Sequence, residues 1–308
     1  MEQFARFPYV LVYAVVGVVF LFIGKLIYDL FTRYKLDAEL TKEDNPAVGT
    51  AVLGYLVALI IIIARLIPEV GYDKLPKDSR MDTLVSDVIN LAIYSFLGVV
   101  LLNFSRIIVD KLILFKFKIN KELIDDKNVG TAAVLAGSYI ASGLVIAGCL
   151  AGDIKPEMLQ KAFNQSFSPL VSGLLLSLIF FMVGQLTLVL YSFVYSWVAP
   201  YNVHEQIEED NVAAGIAFGG GLVALGIILY RGIHGNGQFY GWIDSLTYYG
   251  WLVVFAIVAF PLVRWIVSLI MMPGASLTKE IKEDRNVNAA FLEIACLNMV
   301  AGIVLYAY

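Results

Sequence analysis

Carboxylates recur in this chain in a fixed pattern with an asparagine. The sets are Glu39, Glu43 and Asn45; Glu122, Asp126 and Asn128; Glu205, Glu209 and Asn211; and Glu280, Asp284 and Asn286. In each, the second acid follows the first by four residues and the asparagine follows it by six. Four residues is about one helical turn, so each acid pair would share a helix face. Two chemistries fit. Acids ahead of a helix N-terminus complement its macrodipole and its unpaired N–H groups, with Asn as the cap and Pro46 at the first helical position. Four such pairs at one end of a bundle would instead form a mouth that concentrates inorganic cations, protons or polyamines. A further candidate is Glu293, inside an apolar run and about 10 Å along a helix from Asn286. Val52, Leu135 and Phe218 hold the matching positions in the other copies. An acid at that depth is costly unless protonated, paired or wetted, which makes it a functional candidate by default, with Asn288 and Asn298 as weak partners because helical geometry points them elsewhere.

The elements that must position these groups are legible from the apolar runs. The chain is 59% hydrophobic and 16% charged, with a mean hydropathy of +0.78, against about a quarter charged in soluble domains. Each asparagine is followed by an apolar run of equal length, ending at Ile67, Leu150, Ile233 and Tyr308, and each motif is preceded by another. Runs of about 20 residues cross a bilayer as helix. The expected fold is therefore an all-α membrane protein, one domain over residues 1–308. Its eight transmembrane helices form four parallel-oriented helical-hairpin repeats, about residues 8–67, 84–150, 168–233 and 245–308. The N-terminal run lacks a basic n-region and a cleavage site, so it is taken as the first span. Two spans per copy put all four motifs in one compartment, unlike inverted-repeat transporters. Motif-side loops carry eleven Lys and Arg residues against eight opposite, which places the motifs in the cytoplasm and both termini outside.

The second span of each hairpin carries a small-residue stripe at helical spacing: Ala47, Ala51, Gly54 and Ala58; Gly130, Val134, Gly137 and Ala141; Ala213, Ala217, Gly220 and Ala224. Such stripes let backbones approach in lipid, and they predict either the packed centre of the bundle or the wall of a conduit. The fourth copy breaks the stripe with Asn288, Leu292, Ala295 and Met299. In the first spans, Lys25 and Asp29, and Arg106 and Asp110, stand four apart as neutralising pairs, with Ser268 in that place beside Arg264. Enzyme chemistry finds no support: His204 and His234 fall on opposite sides, and no phosphate loop, nucleophile elbow or metalloprotease motif occurs. Cys149 and Cys296 read as buried hydrophobes. No cofactor is expected, and the absence of a basic arm argues against nucleic acid.

The motif E-x-x-x-[DE]-x-N ahead of an Ala/Gly-rich span resembles the YjfL-like bacterial inner-membrane proteins, classed as domain of unknown function 350. The resemblance covers the whole chain as four hairpins, of which simpler members resemble half. It implies an inner-membrane location and a loose association with membrane-stress and polyamine-related genes, and it supplies no catalytic residues. The chain departs from a clean repeat in its third motif loop, which has no Lys or Arg, and in its fourth copy, which adds Asn288 and Glu293. The leading expectation is passage or sensing of a small cation or polyamine, with the acidic motifs as its mouth. The alternative is a non-transporting scaffold whose acidic loops dock a basic cytoplasmic partner. Beyond the lipid bilayer, the expected partners are a small cationic solute and further copies of the chain in a homo-oligomer.

Overall fold

The computed structural model describes residues 2–68, 76–116, 118–150, 168–234 and 242–307. These form α1 (Glu2–Leu30), α2 (Leu36–Thr41), α3 (Pro46–Leu66), α4 (Arg80–Ile108), α5 (Val129–Leu150), α6 (Pro169–Val198), α7 (Val203–Glu208), α8 (Val212–His234), α9 (Trp242–Ile266), α10 (Leu277–Lys282) and α11 (Val287–Ala307). α4 and α9 run on into π turns at Val109–Ile113 and Val267–Met271, and a third π turn, Lys121–Asp125, stands where the other copies have a short helix. Among the described residues eight helices are long and apolar enough to cross a membrane, so the chain is an all-α polytopic membrane protein.

Every copy repeats one local design: a long outer helix, a short acid-bearing segment, and an inner helix opened by the asparagine. Asn45 Oδ1 accepts from the N–H groups of Ala47 and Val48, Asn128 from Thr131, Asn211 from Ala214 and Asn286 from Asn288. The cap expected from the sequence is therefore present in all four copies, satisfying donors that a helix start leaves orphaned. The residue before each asparagine, Asp44, Lys127, Asp210 or Arg285, has φ between 45° and 55°. A left-handed residue ends the short segment sharply, at a cost that non-glycine residues carry through their Cβ.

The inner helices stand in one row, α3 on α5, α5 on α8 and α8 on α11. The stripe is the face each turns toward the next helix. At the first two steps Ala or Gly of the following copy meets it, so Gly54 lies on Ala136, Gly137 on Gly219 and Gly226 on Ala141, while at the third Gly220 lies on the Ile294 side chain. A Cβ at Gly137 would stand 2.3 Å from the Gly219 carbonyl oxygen. Between α3, α5 and α8 the row is packed backbone to backbone. Outer helices α1, α4, α6 and α9 lie along the row as a second layer. The inner spans of α5 and α8 are 78% and 72% buried, those of outer α1 and α9 only 17%.

The row has two ends, and they explain where the repeat breaks. No described helix continues the row beyond α11, whose stripe positions Asn288, Ala295 and Met299 are exposed. None continues it before α3, where the positions that are Ala136 and Gly143 in α5 are Leu53 and Ile60, 63% and 49% exposed. Small residues appear where a backbone must approach and large ones where lipid covers the helix.

This packing makes a position-specific prediction. Gly137→Val should destabilise the protein by about 3 kcal/mol or more through forced separation of α5 and α8, whereas Ala295→Val at the open end should change stability by about 0.5 kcal/mol at most. Thermal unfolding in one detergent would read both; equal losses would refute the assignment of the stripe to the row interior.

Candidate functional site

The acidic motifs meet at one end of the row, joined through their asparagine amides. Asn45 Nδ2 donates to Glu39 Oε2 at 2.9 Å and to the Leu123 carbonyl of the next copy at 2.9 Å. Asn128 Nδ2 donates to Glu122 Oε2 at 2.8 Å and to the Ile207 carbonyl at 2.7 Å. Asn211 Nδ2 donates to the Ile281 carbonyl at 2.8 Å, and Asn286 Nδ2 to Glu280 Oε2 at 2.8 Å. In the first two copies one side chain thus caps its own helix, holds its own acid and reaches the next copy. The first three amides reach their neighbours from the same end of the bundle.

The third copy departs by one residue. Asn211 Nδ2 donates to Gln206 Oε1 at 2.7 Å and its N–H to the Gln206 carbonyl, where the other asparagines use Glu39, Glu122 and Glu280. Glu205 does not take the first acid's place and is exposed. A neutral amide therefore serves where the other copies have a carboxylate. Spacing from the asparagine alone concealed this one-residue slip.

The second acids point elsewhere. Glu43 lies 3.8 Å from Lys127, and Glu209 pairs with Arg285 at 2.9 Å, each with the left-handed residue of the next copy. Asp126 pairs with Lys121 of its own copy at 2.6 Å, and no side-chain bond engages Asp284, which is exposed. These exposed pairs contribute little individually. Glu122 is buried, and burial raises its pKa while the Asn128 amide opposes the shift. His204, in α7, is held below its usual pKa by burial, with Nε2 3.2 Å from the Ile113 carbonyl. Among the described residues no group of three or more His, Cys, Asp or Glu side chains could hold a metal ion.

Deeper, the structure assembles a site the sequence reading did not. Glu293 is 1% exposed and pairs with Arg264, whose Nη1 donates to its two oxygens at 2.5 and 2.7 Å. Arg264 is not the partner of Ser268, whose Oγ accepts from the Leu277 N–H. In the first half, Lys25 likewise pairs with Asp37, and Asp29 accepts from the Leu36 N–H.

Arg264 has a counterpart. Arg106 and Arg264 both stand 22 residues before their motif asparagines, Asn128 and Asn286. The Arg106 guanidinium lies 4.0 Å from the Tyr28 ring centroid, and Tyr34, Tyr55 and Tyr139 surround it. Its Nη1 donates to the Tyr28 carbonyl and to Asn103 Oδ1. Arg264 has Tyr201 at 5.8 Å, and Tyr195 and Glu293 beside it. Allowing the one-residue slip, Tyr195 and Tyr201 match Tyr28 and Tyr34. The repeat marked by the arginine and its tyrosines is therefore two hairpins long. A spacing search on the arginines together with tyrosines would have found it; a search on acids could not.

A family profile described as Domain of Unknown Function (DUF350) matches residues 2–150 and 169–308, one segment for each two-hairpin half. No curated protein and no solved structure matches the chain.

The asparagine amide, a staple between its own motif and the next copy, predicts opposite outcomes for two isosteric changes. Asn128→Asp keeps the cap but removes both donors and sets a carboxylate against Glu122, so it should cost about 3 kcal/mol or more. Glu122→Gln keeps an acceptor, as Gln206 does, and should cost under about 1 kcal/mol. Because burial raises the Glu122 pKa, its ionisation works against folding. The wild type should thus gain stability relative to the Gln variant as pH falls from neutrality toward the unfolded-state carboxylate pKa, about 4.3. Denaturation of the three proteins across that range decides it, and an intact Asn128→Asp protein would sink the staple.

Proposed function

The chain belongs to the DUF350 family, and from that premise we propose that it senses a small cation, a proton or a polyamine, at the Arg264–Glu293 pair rather than passing one through its acidic face. The carrying observation is the difference between the halves. Arg106 rests within the bundle on tyrosine rings, a backbone carbonyl and an asparagine, without a carboxylate. A cation or proton that takes Glu293 from Arg264 would leave that guanidinium beside Tyr195 and Tyr201, a resting place of the same kind. In a buried ion pair, attraction and desolvation nearly offset each other, which keeps such an exchange within reach of a modest ligand.

Two observations favour sensing over passage. The inner row is closed by backbone contact between α3, α5 and α8, and Glu39, Glu122 and Glu280 already accept from asparagines. The scaffold reading keeps one support: Glu205, Glu208, Glu283 and Asp284 are exposed on the motif face, where they could meet a basic cytoplasmic partner. For self-association the ends of the row offer Leu53, Ile60 and Met299, without the glycine steps that join helices inside the chain.

Spermidine titration and proton uptake in nanodiscs test the assignment. Glu293→Gln should lower spermidine affinity at least about tenfold, about 1.4 kcal/mol, and abolish its pH dependence. The triple variant Glu39→Gln, Glu122→Gln and Glu280→Gln should stay within about threefold of wild type, under 1 kcal/mol. Unchanged binding by Glu293→Gln would remove the proposal.

The orientation proposed is a bacterial inner membrane with the motif face cytoplasmic and both termini outside, supported by the Lys/Arg asymmetry. Single cysteines at Glu43, Asp125, Glu205 and Asp284, in a chain lacking Cys149 and Cys296, should react with an impermeant maleimide only in inside-out vesicles. Reaction in intact spheroplasts would reverse the orientation.

A further inference from the structure

We infer that the second half carries a lateral site for an amphiphile whose head is a hydrogen-bond-accepting oxygen. A pocket between α6 and α9 ends at Arg264 and Glu293 and is walled by Val198, Ile257, Phe260, Pro261 and Leu297. Val198 and Ile257 are 44% and 39% exposed, so the pocket opens toward the outer, lipid-facing side of the bundle. At its closed end Arg264 uses Nη1 on Glu293, while its Nη2 and the neighbouring hydroxyls of Tyr195 and Tyr201 are buried with none of them in full hydrogen-bonding geometry. Arginine cannot shed that proton, and an unmet buried donor is costly.

The first half shows what is missing. Asn103 occupies there the position that Pro261 holds here, three residues before the arginine. Asn103 Oδ1 accepts from Arg106, and its amide donates to the Tyr55 hydroxyl at 2.7 Å. In the second half proline removes that acceptor, and Gly221 stands in the position of Tyr55. Asn103 meets Nη1 there, the nitrogen that Glu293 holds in the second half, so an external oxygen at the pocket's end would meet the remaining Nη2. Because Glu293 already neutralises the guanidinium, a neutral carbonyl head suffices and a carboxylate is also accommodated. The apolar walls and the lipid-side mouth select a hydrocarbon body over a water-soluble solute. This site uses Nη2 and the pocket walls, where the cation proposed above uses Glu293, so each can fail alone.

The test is photolabelling of the full-length protein in nanodiscs with oleic acid carrying a mid-chain diazirine. Label should map to α6 and α9 around Val198 and Ile257, with unlabelled oleic acid and methyl oleate as competitors. Competition by both assigns a carbonyl head, and competition by oleic acid alone assigns a carboxylate; either supports the site. Pro261→Asn, which restores the acceptor of the first half, should reduce labelling at least tenfold, and Ile257→Trp should do so by filling the mouth. Phe255→Ala, on α9 outside the pocket, should keep it within twofold. Spermidine titration of the same samples separates the two sites, since Pro261→Asn should leave that response in place. Equal competition by octadecane, label spread evenly over lipid-facing helices, or full labelling of Pro261→Asn would overturn the inference.

Discussion

A helix that begins inside a protein brings unpaired N–H groups with it, and here four inner helices begin side by side. Each start is resolved by an asparagine whose oxygen accepts from the first turn and whose amide hydrogens reach a residue of its own motif and, in three copies, the backbone of the next. Asparagine alone among the good capping residues offers acceptor and paired donors together. Aspartate or serine would cap the helix and leave the neighbouring motif unattached. The tolerance of the acid position, Glu in three copies and Gln206 in one, follows from the same geometry, because the amide needs an acceptor oxygen and not a charge.

Fixing the helix starts also fixes the helix registers. Gly54 faces Ala136 and Gly137 faces Gly219 only because each inner helix begins at a set height relative to its neighbour. In lipid the hydrophobic effect gives no preference between neighbouring apolar helices, so close backbone contact has to supply the association. The staple and the stripe are therefore one device: the first sets the offset that the second requires. Arrangement as a row also leaves two unlike ends, which is why Leu53, Ile60 and Met299 stand where the interior copies carry small residues.

The division of labour between inner and outer helices was legible in the sequence, because lipid forces it into composition: small residues inside the row, large ones outside. The four-copy count and the shared motif face followed from the asparagine spacing. The first acid of the third copy was not legible, because Glu205 preserves the spacing while Gln206 holds the position. The partner of Glu293 was hidden for a different reason. Arg264 stands 29 residues earlier, on another helix, where its own spacing suggested Ser268, while the sequence neighbours of Glu293 offered only Asn288 and Asn298, which helical geometry points elsewhere. Contacts between layers leave no fixed spacing, whereas capping and stripes do.

What distinguishes the two halves is concentrated around one guanidinium. Arginine is kept at matching positions, as are two tyrosines from the preceding hairpin. Around that constant core, Leu135 becomes Glu293, Asn103 becomes Pro261 and Tyr55 becomes Gly221, while Gly24, opposite Tyr55, is matched by Tyr191, whose hydroxyl lies against Gly221. The last two changes exchange a large and a small side chain across one contact and keep the volume filled. The first two do not compensate each other sterically: one adds a charge, the other removes an acceptor. Packing drift would swap volumes, as the tyrosine–glycine pair does, and leave the polar partners of a buried cation alone. Here those partners changed while the arginine stayed. The first half gives Nη1 of its guanidinium a backbone carbonyl and an asparagine oxygen, and the second gives Nη1 a carboxylate instead and sets the guanidinium in the lining of a pocket, beside Tyr195 and Tyr201.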